Sequence, residues 1–243
     1  KYVGKRLIRE DVYDKARGKT QYTCDRKLEG MLYAKLVLSE KALAEISINT
    51  DKAEQVPGIC AVYTHKDVPK TKYNPHNWTP GVGAPEDMYI LSEKARYVGD
   101  HLALVVGETK EAVEEAASLV EIVYREETPV IGLKAARENK ENIAFEKESR
   151  CGDFGSLPLE NLIVEETAGS TQAIHHAPIE PHIALSAIDE TGNLVVWTPC
   201  QTVFMVRYHI CSLLDVPYTK VRVVKAVMGG SFGGKGLSVV EPA

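Results

Sequence analysis

The chain has 243 residues, 44% hydrophobic and 26% charged, which fits a soluble globular protein with one large domain or two ordinary ones. No apolar run approaches the roughly 20 residues that a membrane-spanning helix needs, so a helical membrane protein is excluded. A formal charge of −5, with basic residues clustered no more densely than pairs such as Lys5-Arg6, excludes a nucleic-acid footprint.

Residues 1–30 are charged and irregular, and Tyr2 to Arg9 is expected as a short strand or an arm. Apolar content marks Gly30 to Leu38 as a strand, and Ala44 to Ile48 alternates with period two as a half-buried one. Asp51 to Val56 reads as a short helix stopped by Pro57-Gly58, followed by a strand over Ile59 to Thr64. Residues 69–90 are rich in Pro, Asn and Gly and include His76 and Trp78. They read as an excursion loop suited to partner or domain contact more than to chemistry. His101 to Val106 is a buried strand. Thr109 then caps a helix over Lys110 to Val120, with Ala112, Val113, Ala116, Ala117 and Val120 on one face. Glu121 to Tyr124 is a last strand, and the α+β unit closes near Pro129-Val130.

Residues 132–160 are polar and read as a linker or charged helix, so a domain boundary is expected there. Beyond it strands are expected at Leu162 to Thr167, Thr171 to Ile174 and Pro181 to Asp189. The last is joined by the turn Glu190 to Asn193 to a strand over Leu194 to Trp197. Val203 to Leu214 has helical spacing, and Val221 to Met228 reads as a buried strand running into GGSFGGK.

Four glycines in six residues, Gly229 to Gly234, place the backbone where it bends sharply or approaches something closely. Such a loop after an apolar strand offers N–H groups to an anion, and a phosphate-bearing cofactor or a bare tight turn are both open. The spacing also fits Gly-x4-Gly-Lys, but Gly236 stands where a P-loop needs Ser or Thr for Mg²⁺. Phe232 inside the loop is expected either to plug a core or to pack on a ligand.

His175, His176, Glu180 and His182 lie within eight residues and raise the question of zinc, although Pro178 and Pro181 break the strand periodicity that would align them. Gln172 has a solvent-facing alternative, and Gln201 could cap the helix after it. Cys24, Cys60, Cys151, Cys200 and Cys211 are odd in number and form no C-x-x-C pair. Free thiols, buried or partly buried in a reducing compartment, are expected, with no Fe–S site in this chain. A Cys200 thiolate with His209 or His182 as base is the weaker nucleophile reading. Glu241 has a plain surface reading.

MGGSFGGK resembles the glycine-rich Mo-cofactor loop of the xanthine dehydrogenase/aldehyde oxidase family of molybdenum hydroxylases. LEGMLYAKLVLSEKALAEISINTDKAEQVPGICAVYTHKDVP and YVGDHLALVVGETKEAVEEAASLVEIVYRE are similar to its a/b hammerhead domain, and HHAPIEPH to a stretch near its molybdenum centre. The resemblance implies an α+β fold, with a hammerhead at 1–131, a linker at 132–160 and the first part of a mixed α/β molybdopterin-binding domain at 161–243. It implies a molybdenum–molybdopterin cofactor partly bound by Gly230, Ser231, Phe232, Gly233 and Gly234, with Gln172 as donor to a metal ligand and Gln201 bordering the cavity. No direct metal ligand and no catalytic residue is expected in this chain, because the family's base is a glutamate far downstream.

The implied reaction oxidises an N-heterocycle or aldehyde with water as oxygen source and passes electrons to Fe–S clusters and FAD on partner chains or domains. Gly236 stands where purine-oxidising relatives carry an acidic residue that contacts substrate, which argues against xanthine or hypoxanthine. The remaining half of the molybdopterin domain, an Fe–S subunit and an FAD subunit are the expected partners in a cytoplasmic hetero-oligomer. The chain itself is expected to be a fragment or split-subunit piece, inactive alone. The alternative is a non-catalytic scaffold or assembly subunit that encloses a cofactor held by a partner.

Overall fold

Tyr33–Leu38 (β1), Ile59–Thr64 (β3) and His101–Gly107 (β5) form the first sheet in a computed structural model of the chain. The structure describes residues 2–77, 83–139 and 165–243, with 143, 146, 148–152, 155, 160 and 163. β5 is the central strand, antiparallel to both neighbours, so Leu104 lies beside Leu36 on one side and Tyr63 on the other. A second antiparallel sheet runs Lys94–Ala95 (β4), Ala44–Asn49 (β2), Glu121–Glu126 (β6).

Helices cover the first sheet. Asp51–Glu54 (α2) and Lys110–Leu119 (α3) bury Ala53, Val113 and Ala116 against Val105, joined by Val56 just past α2. The α3 start is set as the sequence suggests: Thr109 Oγ1 accepts from the Ala112 N–H at 3.1 Å. Gly107 is required by close approach, since a Cβ there would sit 2.8 Å from the Gly58 carbonyl oxygen.

The stretch at 69–90 is more than an excursion. Tyr73 and Met88 exchange two backbone hydrogen bonds at 2.9 Å. Asn74 Nδ2 donates to the Pro85 carbonyl and Asn77 Nδ2 to that of Ala84, each at 2.9 Å. Tyr73, Ile90 and Leu91 share a buried cluster with Leu213. Trp78 lies outside the described residues.

The third sheet is ordered Leu185–Ile188 (β7), Leu194–Thr198 (β8), Val221–Lys225 (β9). β7 and β8 form the expected hairpin, its turn held by the Asp189 carboxylate, which accepts from the Thr191 and Asn193 N–H groups at 2.9 Å each. β9 runs parallel to β8, and the connection is the helix Val203–Leu214 (α5). Val206, Ile210 and Cys211 of α5 pack on Val196, Cys200 and Val221. Asp215, at φ 52°, ends the helix in the left-handed conformation.

Residues 1–129 and 178–243 group as one compact unit, and 130–177 as another. The second unit holds Leu133–Glu138 (α4) and otherwise irregular, exposed backbone among its described residues. The expected strand at Thr171 to Ile174 does not form, because no partner segment among the described residues pairs with it. Leu162 and Val164 of the other expected strand lie outside the described residues, and 165–167 are irregular. Tyr2 to Arg9 is an exposed arm without strand structure, leading to the short helix Val12–Ala16 (α1). β9 stops at Lys225, three residues early. Beyond it Val227, partly exposed, makes a single parallel bridge to Tyr22. Among the described residues, no helix is long and apolar enough to cross a membrane.

Candidate cofactor site

Three elements meet at the glycine loop: the end of β9, the segment before β7 and the start of α5. β9 delivers the chain to Gly229, whose N–H donates to Glu180 Oε2 at 2.8 Å, while the Glu180 N–H donates to the Gly229 carbonyl at 3.3 Å. The fit is close, since a Cβ on Gly229 would lie 2.6 Å from the Glu180 Cβ. At the far end of the loop, Lys235 Nζ returns to the same Glu180 oxygen at 2.7 Å. Both partners are buried, Lys235 2% and Glu180 8% exposed. This removes the ammonium from any phosphate-cradling role, so the P-loop reading fails on geometry as well as on Gly236.

Gln201, just before α5, holds the middle of the loop. Its N–H donates to the Lys235 carbonyl at 2.8 Å, and its Oε1 accepts from Ser231 Oγ at 2.6 Å. Thr202 Oγ1 donates to the Gly236 carbonyl at 2.9 Å. Gln201 therefore does not cap α5, whose N-cap, Thr202, makes no side-chain cap bond either. Within the loop, Gly234 donates its N–H to the Ser231 carbonyl at 2.8 Å.

These bonds leave a row of donors. Among the described residues, the N–H groups of Gly230, Ser231, Phe232 and Gly233 meet no protein acceptor. Gly230, Phe232 and Gly233 all take positive φ, of 109°, 52° and 90°. Such a run of unpaired N–H groups suits an anionic, oxygen-rich ligand. Phe232 is 77% exposed, which overturns its reading as a core plug.

Gln172 belongs to the second unit, on exposed backbone without the strand that was to orient it. His175 and His176 are exposed and stack edge-on, with His175 Nδ1 accepting from the Ala177 N–H at 3.0 Å. The Glu180 carboxylate is engaged by Lys235 and Gly229, and among the described residues no three His, Cys, Asp or Glu side chains converge as metal ligands.

Burial drives the Cys200 thiol up to about 11, opposite to what a nucleophile needs. Cys24, Cys60 and Cys151 are exposed, so the expectation of buried thiols holds for Cys200 and Cys211 alone. Glu241 is not a plain surface residue, because it accepts from Thr198 Oγ1 at 2.7 Å and from the Val239 N–H at 2.9 Å. The Glu180–Lys235 pair was missed. Its residues stand in the two motifs singled out above, but nothing in their spacing says that they meet.

Residues 17–128 match the a/b hammerhead domain of aldehyde oxidase and xanthine dehydrogenase, and residues 135–243 the molybdopterin cofactor-binding domain. The chain belongs to the xanthine dehydrogenase/aldehyde oxidase family of molybdenum hydroxylases. Its fold is accordingly α+β, a hammerhead followed by the start of the mixed α/β molybdopterin-binding domain.

Among this family, it is 30% identical to the xanthine dehydrogenase molybdenum-binding subunit of Escherichia coli, over 97% of this chain and 33% of that protein. It is 29% identical to the nicotinate dehydrogenase large molybdopterin subunit of Eubacterium barkeri, over 96% of this chain and 55% of that one. Its backbone matches the crystal structure of the aldehyde oxidoreductase from Desulfovibrio desulfuricans ATCC 27774 with a TM-score of 0.84 and 24% identity, over 98% of this chain and 28% of that chain. The chain thus spans about a third of the Escherichia relative's length and about half of the Eubacterium one's.

Proposed function

We propose that this chain supplies part of the molybdenum-cofactor cradle in a xanthine dehydrogenase-type hydroxylase. The observation that carries the reading is the row of four unpaired N–H groups from Gly230 to Gly233, in a domain of the molybdopterin-binding family. The residues fit such a group, because its negatively charged oxygen ligands need donors and the loop presents donors without acceptors. Bound there, the molybdenum cofactor supplies two-electron redox chemistry. Gly230, Ser231, Phe232 and Gly233 would hold it through their backbone N–H groups, and Gly234, whose own N–H is spent on the Ser231 carbonyl, would keep the loop in that form; preorganised N–H groups stabilise charge without reorganising. The exposed Phe232 ring would offer an apolar surface for the ligand to pack on. Gln172 adds a side-chain donor.

In this reading residues 1–131 are the hammerhead, 132–160 the linker and 161–243 the opening of the cofactor domain. The substrate is an N-heterocycle or aldehyde, water is the oxygen source, and electrons leave through Fe–S clusters to FAD on other domains or chains. The general base comes from outside this chain. Glu241 is unsuited to that task, since both its oxygens are engaged by Thr198 and Val239. The working unit is a cytoplasmic hetero-oligomer that adds the rest of the molybdopterin domain, an Fe–S subunit and an FAD subunit, and this chain alone is inactive.

The test is metal, pterin and flavin analysis of the native assembly that co-purifies with the chain. Stoichiometric molybdenum with iron and flavin in the same complex is expected. A fully assembled complex without molybdenum overturns the reading.

A further inference from the structure

The loop conformation that presents the N–H row has little in its favour locally. Phe232 sits in the left-handed region that L-residues avoid, and the N–H groups of Gly230 to Gly233 gain no hydrogen bond from the loop's own backbone. External ties must hold it, and they converge on one atom. Glu180 Oε2 accepts both the N–H of Gly229, at the loop's entrance, and the ammonium of Lys235, at its exit, at 2.8 and 2.7 Å. A single carboxylate oxygen thus closes the seven-residue loop into a ring.

The rest of the site reinforces that closure. The Glu180 N–H holds the Gly229 carbonyl, and Gln201 holds the Lys235 carbonyl from the other side. Glu180 Oε1 has no partner among the described residues, so the carboxylate grips the loop through Oε2 alone. Gly229 lets Glu180 come this near, because any side chain there would strike the Glu180 Cβ. A buried ion pair adds little net stability over an apolar pair of similar volume. Its presence at both ends of one loop is therefore better explained by geometry than by stability.

We propose that Glu180 and Lys235 are a positioning pair that clamps the glycine loop in its donor-presenting form. The proposal rests on the reading of that loop as a cofactor cradle, and the pair acts through the backbone without touching the cofactor. Neutralising both charges together then separates positioning from stability. Glu180→Gln/Lys235→Met leaves no unpaired charge, so it restores global stability, yet it cannot tie residue 235 to residue 229.

The experiment uses the native assembly carrying Glu180→Gln, Lys235→Met or both. Three quantities are read: the urea midpoint, amide exchange of Gly234 and Gln201, and the rate at which molybdenum and pterin are lost on gel filtration. The Gly234 and Gln201 N–H groups are bonded within the site but not to Glu180. In the single variants both amides are expected to exchange about tenfold faster or more, in keeping with the loss of a hydrogen bond to a charged group. Cofactor loss accelerates alongside, while the Val105 amide in β5 speeds up by no more than the fall in the urea midpoint accounts for. The double variant recovers the wild-type urea midpoint but keeps the fast exchange and the fast cofactor loss.

A double variant restored in all three readouts makes the pair merely structural and overturns the proposal, as do unchanged amides in the singles. A wild-type assembly without molybdenum sinks the cofactor reading instead. In that case the exchange data still decide whether the pair clamps the loop.

Discussion

Val105 and Lys235 are about equally buried, and their surroundings differ in kind. Around Val105 the neighbours are apolar: Ala53, Val56, Val113 and Ala116, with Tyr33, Val37, Ile59 and Val62 at the margin. Around Lys235 the contacts are directional, with Glu180 on the ammonium, Gln201 on the carbonyl and Ser231 near the N–H. The α5 side chain His209 belongs to the second kind. It is 1% exposed and bridges Ser238 Oγ at 2.9 Å and the Asn77 carbonyl at 3.0 Å. Hydrophobic packing is non-directional and tolerates small shifts, whereas a hydrogen-bond network fixes positions and fails when one member is lost. The hammerhead is built for stability and the loop region for placement.

The largest effect expected on that contrast comes from the apolar side. Leu102, fully buried on β5, becomes a cavity in Leu102→Ala, with an expected loss of about 2–5 kcal/mol in urea unfolding. Amide exchange at Gly234 should stay at the wild-type rate under native conditions, because nothing in its network changes. If exchange at Gly234 rose in proportion to the lost stability, hammerhead and loop would be opening as one unit, and the contrast would fail.

A smaller change is expected from His209→Leu, which keeps the bulk and strands the Asn77 carbonyl and the Ser238 hydroxyl, at about 1–3 kcal/mol. The Asn77 carbonyl can only accept, so in the neutral ring Nε2 carries the proton and Nδ1 accepts from Ser238. Burial holds the His209 pKa below its ordinary value, the hydrogen bond to Asn77 opposing the shift only in part. As pH falls through about 6.5 the unfolded chain takes up this proton before the folded one does. The stability that depends on neutral His209 is thus present above that pH and lost on acidification. The variant's stability should fall less steeply than the wild type's below about pH 6.5. The slope will not vanish, because burial lowers the His101 pKa as well. An acid limb identical to that of the wild type would show that His209 titrates freely and that the bridge is not closed in solution.

The sequence was legible where one local rule dominates. Period-two alternation located β2, Thr109 set the start of α3, and Val203 to Leu214 is helical from the first residue to the last. It was opaque where pairing joins distant segments. Residues 69–90 read as a loop from their Pro, Asn and Gly content, yet Tyr73 is core because its partner is Leu213. Lys235 was weighed as a P-loop lysine and Glu180 as one of a zinc set, because each was read against its sequence neighbours. Their meeting across 55 residues follows from β8, α5 and β9 folding over one another, which no local pattern encodes. Thr171 to Ile174 failed the other way, read as a strand where the backbone is irregular and no ladder partner lies among the described residues.

The smallest effect tests whether directional bonds in the hammerhead resemble those around the loop. Thr109→Ala removes the acceptor for the Ala112 N–H at the exposed end of α3, and should lower stability by about 1 kcal/mol. Water can replace the lost acceptor there, so the loss stays local to the first turn. At the loop, Glu180 and Lys235 are shielded from water, and removing either one leaves the other's charge buried without a counter-charge. If Thr109→Ala proved as damaging as Lys235→Met in urea, solvent access would not be what separates the two regions. The contrast between them would then reduce to how many bonds each one holds.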